Sequence, residues 1–247
     1  MDRAESAVAA GVGDVALKDV LPGRRRSGTD AARRVAPAFF ALALAGCATA
    51  PASREPRNLQ LAKEEVRAYV AVGDYARDVA AVAAEAGKWL EKRAARGGGR
   101  LAVVFDVDET LLSNLPSMEN LDFGYVPAEW KRWVEQAKAP ALEPVRALFR
   151  RARELGMETM VTTGRRETER EATARNLAGI GCGDFTALVC RPDADRGGVA
   201  EFKTAARARL AAEGRIIVAN IGDQESDLVG GHAERTFKLP GPFYLTR

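Results

Sequence analysis

Asp106 and Asp108 stand two residues apart directly after the unbroken apolar run from Leu101 to Phe105. A carboxylate pair at the end of a buried strand can divide labour. Asp106 can attack as a nucleophile, while Asp108 gives a proton to the leaving oxygen and later takes one from water. The segment Thr162-Thr163-Gly164-Arg165 offers a hydroxyl and free backbone N–H groups to a phosphate oxygen. It reads equally as a helix cap followed by a surface arginine. Lys203, in Glu201-Phe202-Lys203-Thr204, is a cation near a helix start, and by itself it is one solvated lysine among many basic residues. In Gly222-Asp223-Gln224-Glu225-Ser226-Asp227 the glycine permits a sharp turn, and the two aspartates can hold a hard cation through oxygen.

Elements that position these groups are legible as periodic runs. Leu101 to Phe105, Met157 to Thr162, Ala187 to Cys190 and Ile216 to Ile221 read as strands. Pro144 to Leu155, Glu167 to Leu177 and Glu201 to Glu213 read as helices between them, with a long helix from Asn58 to Arg96 in front. Alternating strands and helices predict a three-layer α/β/α, Rossmann-like parallel sheet. Ligands of such sheets bind beyond the carboxyl ends of the strands, where every candidate residue above is placed. The expected organisation is a leader and signal segment over 1–46, a tether over 47–57 and a helical extension over 58–96. The core then fills 97–247, with a small cap insertion at about 113–140.

Composition narrows the chemistry. A formal net charge of +3 in 247 residues is too small to argue for a nucleic-acid partner. The single histidine, His232, lies in a Gly-Gly-His loop, so phosphohistidine and Ser-His-Asp mechanisms have little to rest on, and carboxylates carry the chemistry. The three cysteines make no zinc pattern. Arg33-Arg34 followed by the apolar run from Val35 to Ala45 reads as an export signal. Leu44-Ala45-Gly46-Cys47 resembles a bacterial lipobox, which makes Cys47 the expected lipidation site and the outer membrane, facing the periplasm, the expected location. In an oxidising compartment Cys182 and Cys190 are expected to pair.

The order of the motifs says more than any one of them. DxDxT, then a threonine, then a lysine, then GDxxxD resembles the haloacid dehalogenase-like hydrolases. Val104 to Asn114 resembles their acid phosphatase subclass, IIIB, which holds plant acid phosphatases, vegetative storage proteins and bacterial lipoprotein phosphatases. Glu129 to Leu142 and Arg235 to Pro240 add to the likeness. The resemblance implies an aspartyl-phosphate mechanism on phosphomonoesters. Asp106 is then the nucleophile, Asp108 the acid and base, Thr163 a phosphate ligand, and Lys203 the counter-charge to Asp106 and the phosphate. Magnesium is held by Asp106, the backbone carbonyl of Asp108 and Asp223, with Asp227 supporting the ion through water or orienting Lys203. If Asp108 must start protonated while Asp106 stays ionised, the pH optimum is acidic. Phe123, Tyr125, Trp130 and Trp133 crowd the cap although aromatics are 6% of the chain. Phe123 and Tyr125 are the expected platform for a base, which slightly favours nucleoside monophosphates among small phosphomonoesters. Trp133 is expected to pack a helix against the sheet. Two other readings remain open: a phosphotransferase of the same fold, and a storage-like lipoprotein without turnover.

Overall fold

The computed structural model describes residues 55–246, so the leader, Cys47 and most of the tether lie outside the described residues. Five parallel strands form one sheet: β1 (Arg100–Phe105), β2 (Glu158–Arg166), β3 (Ala187–Arg191), β4 (Arg215–Gly222) and β5 (Thr236–Lys238). Their order is β3-β2-β1-β4-β5. The chain therefore runs outward from β1 to β3, then returns to the other side of β1 and runs outward again. The reversal opens a crevice between β1 and β4. The Asp106 amide donates to the Ile221 carbonyl at 3.0 Å, which ties the two strand ends together beside that crevice.

β1 is apolar at every buried position because helices cover both of its faces. Val103 and Phe105 join a core built with Val79, Leu90, Val145 and Phe149, from α2 (Asp74–Ala95) and α5 (Glu143–Glu154). Ala102 and Val104 face the other way and pack with Met160, Ile217 and Leu210, the last from α7 (Val199–Ala212). The layers are thus helix, sheet and helix, as the alternating pattern predicts. Between β2 and β3 a 3-10 turn (Glu167–Glu169) leads into α6 (Arg170–Gly179).

Local details depart from the sequence reading. The expected helix from Asn58 to Arg96 is two helices, α1 (Leu59–Ala71) and α2, broken at Val72-Gly73. Gly73 takes φ +82, a left-handed conformation that ends a helix at no steric cost to glycine. Strand β5 has three residues and one buried side chain, Phe237, too little pattern to signal itself. Cys182 and Cys190 do not pair: both are free and buried. Cys190 sits within β3, while Cys182 follows α6 with its amide bonded to the Leu177 carbonyl at 2.8 Å. Burial pushes both thiols up to about 11, so they behave as small core residues.

Between β1 and α5 the chain leaves the sheet as α3 (Leu115–Asn120) and α4 (Pro127–Gln136). The two ends of this excursion are clamped, because Ser113 N donates to Pro140 O at 2.8 Å and Leu142 N to Leu111 O at 3.1 Å. A clamped neck holds both helices over the carboxyl end of β1.

Candidate active site

Asp106 follows β1 and Asp223 follows β4, so the two adjacent strand ends deliver two buried carboxylates to the crevice. The short helix α8 (Glu225–Leu228) folds Asp227 back toward them. The Asp227 Oδ2 atom accepts the Gln224 amide at 2.8 Å, which closes the turn. That closure requires Gly222, where any Cβ would lie 2.4 Å from Asp227 Oδ2. Side-chain oxygens of Asp106, Asp223 and Asp227 come within 4.8 Å of one another.

Lys203 reaches this cluster from the first turns of α7. Its Nζ donates to Asp227 Oδ1 at 2.5 Å and also to Asp106 Oδ1. Burial works to lower the lysine pKa, yet the Asp106 and Asp227 carboxylates overcome it and hold it above its ordinary value. One cation cannot balance three acids. Burial raises Asp106 well above the usual carboxylate range; Lys203 pulls it back, and the neighbouring aspartates push it up again. Burial and the Asp227 charge raise Asp223 to about 8. The Asp223 Oδ1 atom is buried and has no hydrogen-bond partner. An orphaned acceptor among crowded carboxylates fits a divalent cation, and a donor set made only of oxygen suits a hard one.

Asp227 is also fixed from behind. Arg207, one helical turn after Lys203 and fully buried, donates to the Asp227 carbonyl at 2.7 Å and the Gly231 carbonyl at 3.0 Å, and to that of Val229. Helix α7 thus grips the same residue by its side chain and by its backbone.

Asp108 faces a different cation. Arg165 donates to it through Nη2 at 2.7 Å and through Nε at 3.0 and 3.2 Å. Of the two readings of the Thr-Gly-Arg segment, the surface arginine is therefore excluded: the Arg165 side chain is 1% exposed. Its Cζ atom lies 5.4 Å from the centre of the Trp130 ring on α4. Thr163 is buried within β2, three residues before its last residue, and its hydroxyl accepts the Arg165 amide at 3.1 Å. The walls of the cleft pass through Gly164 and Arg165 beside it. Three further residues complete the corner. Glu109, fully buried at φ +54, accepts from the Asn114 amide at 2.6 Å and from the Tyr244 hydroxyl at 2.9 Å. Burial raises its pKa to about 7. Asn114 also donates to Asp108 at 2.8 Å. Arg165, Glu109 and Asn114 lie inside the motifs, so their positions were visible; their partners were not. Nothing in the sequence signals Tyr244.

These groups floor a cleft of about 940 Å³. Tyr125 and Trp130 line it from the cap, and Tyr244 and Leu245 from the C-terminal segment. The expectation for Phe123 is corrected. Its ring stacks on Phe243 at 6.2 Å with Arg67 over it at 5.1 Å, outside the cleft lining. Phe243 and the Arg67 guanidinium thus occupy the ring that a base would need. Tyr125, 72% exposed, keeps a free face. His232 is an exposed loop residue.

Comparison with known proteins agrees with this geometry. The family model for the HAD superfamily, subfamily IIIB (acid phosphatase), matches residues 41–247. Acid phosphatase 1 of Solanum lycopersicum is 38% identical over 184 residues, covering 72% of each chain. Vegetative storage protein 1 of Arabidopsis thaliana is 33% identical over 145 residues, 57% of this chain and 54% of that protein. Among solved structures, the class C acid phosphatase from Bacillus anthracis superposes with a TM-score of 0.64 over 76% of this chain and 87% of that one. Its 22% identity makes this a likeness of fold. A matching family model over most of the chain, on a sheet that delivers the motif residues to one crevice, shows that the protein belongs to subfamily IIIB of the HAD superfamily, the acid phosphatases, which hydrolyse phosphomonoesters.

Proposed function

We propose that the protein hydrolyses small phosphomonoesters through an aspartyl-phosphate on Asp106, with Mg²⁺ as cofactor. The observation that carries this reading is the pairing of Asp106 with Lys203 on the floor of an open cleft, beside an acceptor on Asp223 that no protein group satisfies. Asp106 Oδ attacks phosphorus while Asp108 gives its proton to the departing alcohol. Water then attacks the aspartyl-phosphate, losing its proton to Asp108, and phosphate leaves. Lys203 offsets charge on Asp106 and the phosphoryl oxygens, Thr163 and the Gly164-Arg165 backbone orient those oxygens, and Asp227 orients Lys203. Asp106, Asp223 and the Asp108 carbonyl would hold the magnesium ion, with Asp227 supporting it. Bound there, it supplies positive charge to the phosphoryl group.

Nucleoside monophosphates are the favoured substrates, on the strength of the exposed Tyr125 ring in the cleft. Stacking of a base on such a ring contributes about 1–3 kcal/mol and tolerates different bases. For location, we favour a lipid anchor at Cys47, supported by the lipobox-like segment alone. No helix among the described residues is long and apolar enough to cross a membrane.

Asp106→Asn should lower kcat by at least about a hundredfold, because an amide is a poor nucleophile. Phosphate release by a variant with an unchanged circular-dichroism melt checks this, and ordinary turnover would reject the mechanism.

Metal binding should depend on pH in a defined direction. Asp223 stands at about 8 in the folded chain and near 3.9 when unfolded. Its contribution to metal-free stability is complete below roughly pH 4 and is lost as pH rises through about 8. Mg²⁺ should therefore raise Tm more at pH 8 than at pH 5, where it must displace a proton. Scanning fluorimetry of chelated and reloaded protein measures both shifts; equal shifts would count against an ion at Asp223.

Tyr125→Ala should raise KM for nucleoside monophosphates by about fivefold to a hundredfold, the equivalent of a lost stack. KM for a small alkyl phosphate should change little, and a parallel rise in both would assign the ring to packing. For the anchor, mass spectrometry of the mature protein should find lipid on Cys47 and none in Cys47→Ser; a mature N-terminus elsewhere would refute it.

A further inference from the structure

Helix α4 presents two tryptophans three residues apart, Trp130 and Trp133, and each meets one of the two residues that hold Asp108. Trp133 Nε1 donates to Asn114 Oδ1 at 2.8 Å. An indole N–H is a donor only, so it fixes the orientation of the Asn114 amide. With Oδ1 claimed, Nδ2 must turn inward, and it donates to Asp108 Oδ1 at 2.8 Å and to Glu109 Oε2 at 3.1 Å. Were the amide reversed, its oxygen would face two carboxylates. Trp130 lies against the Arg165 guanidinium and is anchored through its own N–H to Glu169 Oε1 at 3.1 Å. Thr173 Oγ1 accepts from Arg165 Nη1 at 3.2 Å, which fixes the other end of the fork.

The resulting load on Asp108 is unequal. Oδ1 takes Asn114 Nδ2 at 2.8 Å and Arg165 Nη2 and Nε at 2.7 and 3.0 Å. Oδ2 takes only Arg165 Nε, at 3.2 Å. Oδ1 already has two donors of its own and the nearer share of the forked Nε–H, which fills its two lone pairs, whereas Oδ2 keeps one free for a proton. We propose that Asn114 and Arg165, set in place by Trp133 and Trp130 of the cap, are positioning residues that make Oδ2 the proton-bearing oxygen of Asp108. The inference rests on the acid–base role of Asp108 proposed above. In the step it serves, the bond from phosphorus to the alcohol oxygen breaks as the phosphoryl group passes to Asp106. The Oδ2 proton moves to the departing oxygen, leaving Asp108 as the carboxylate.

Such a role has a signature that packing alone lacks. Proton donation matters for a poor leaving group such as an alkoxide and little for p-nitrophenolate, which departs unaided. Trp133→Phe keeps the ring and removes the donor, freeing the Asn114 amide to reverse. Arg165→Lys keeps the charge and loses the fork. kcat/KM, which reports the steps up to departure of the alcohol and leaves out the hydrolysis shared by all esters, is measured on glycerol phosphate and p-nitrophenyl phosphate, with Asp108→Asn as reference and thermal melts to establish folding. Asp108→Asn should lose about a hundredfold or more on the alkyl ester, within the range of general acid catalysis, and far less on the aryl ester. Each positioning variant should lose at least about fivefold more on the alkyl ester than on the aryl one, a fraction of that loss. Equal losses on both esters, or none, in both positioning variants, beside a selective loss in Asp108→Asn, would overturn the inference alone. An unselective loss in Asp108→Asn would overturn the acid–base reading and this inference with it.

Discussion

Crowding of like charge is the constraint around which the rest of the molecule is arranged. Asp106, Asp223 and Asp227 place carboxylate oxygens within 4.8 Å of one another inside the protein. Two unit charges about 4 Å apart repel by about 4 kcal/mol at the effective dielectric of a partly shielded site. A few such pairs rival the whole stability of a domain, roughly 5–15 kcal/mol. The upward shifts of Asp106 and Asp223 come first from burial, and repulsion by the neighbouring aspartates adds to them. Lys203 relieves part of it, and the unsatisfied Asp223 oxygen marks what it leaves. Such a cluster stays together only because covalent and packing restraints leave it no room to spread. Gly222 admits Asp227 where a methyl group would exclude it, and Arg207 holds the Asp227 backbone from the far side.

Two carboxylates two residues apart have different surroundings because the fold gives them different cations. Asp106 meets the compact ammonium of Lys203, delivered by α7 from one side of the sheet. Asp108 meets the flat fork of Arg165, delivered by the end of β2 and backed by a cap tryptophan. An ammonium acts as a point charge that can serve Asp106, Asp227 and an incoming phosphate together. A guanidinium fixes an orientation. Asp106 is thus balanced electrostatically, while Asp108 is held geometrically.

The cap takes part in that division. Its neck is clamped by hydrogen bonds at Ser113 and Leu142, so α4 sits at a fixed height above β1. From there Trp130 serves both as cleft wall and as support for Arg165, and Trp133 reaches Asn114. The C-terminal segment closes the other wall through the Tyr244 bond to Glu109, tying a residue at the chain's end to the motif that follows β1. Apolar surface left open at Tyr125 and Leu245 lies around the same cleft.

By itself, the sequence determined the parallel sheet, four of its five strands, and the carboxylates and lysine that meet at its carboxyl edge. Those features are local: an apolar run buried on both faces, an acidic pair behind it, a glycine where the chain must turn. Their order in the chain then identified the family. Tertiary structure alone decided who meets whom. Arg165 and Asp108 are 57 residues apart, and Tyr244 and Glu109 are 135. No periodicity records a partner at that distance, so Arg165 looked equally like a surface residue, and Phe123 like a binding platform. The same holds for Cys182 and Cys190, near in sequence yet unpaired within the core. Hydrophobic pattern selects backbone conformation residue by residue, whereas the direction a side chain takes across a gap is set by packing of segments that meet only when the whole domain has formed.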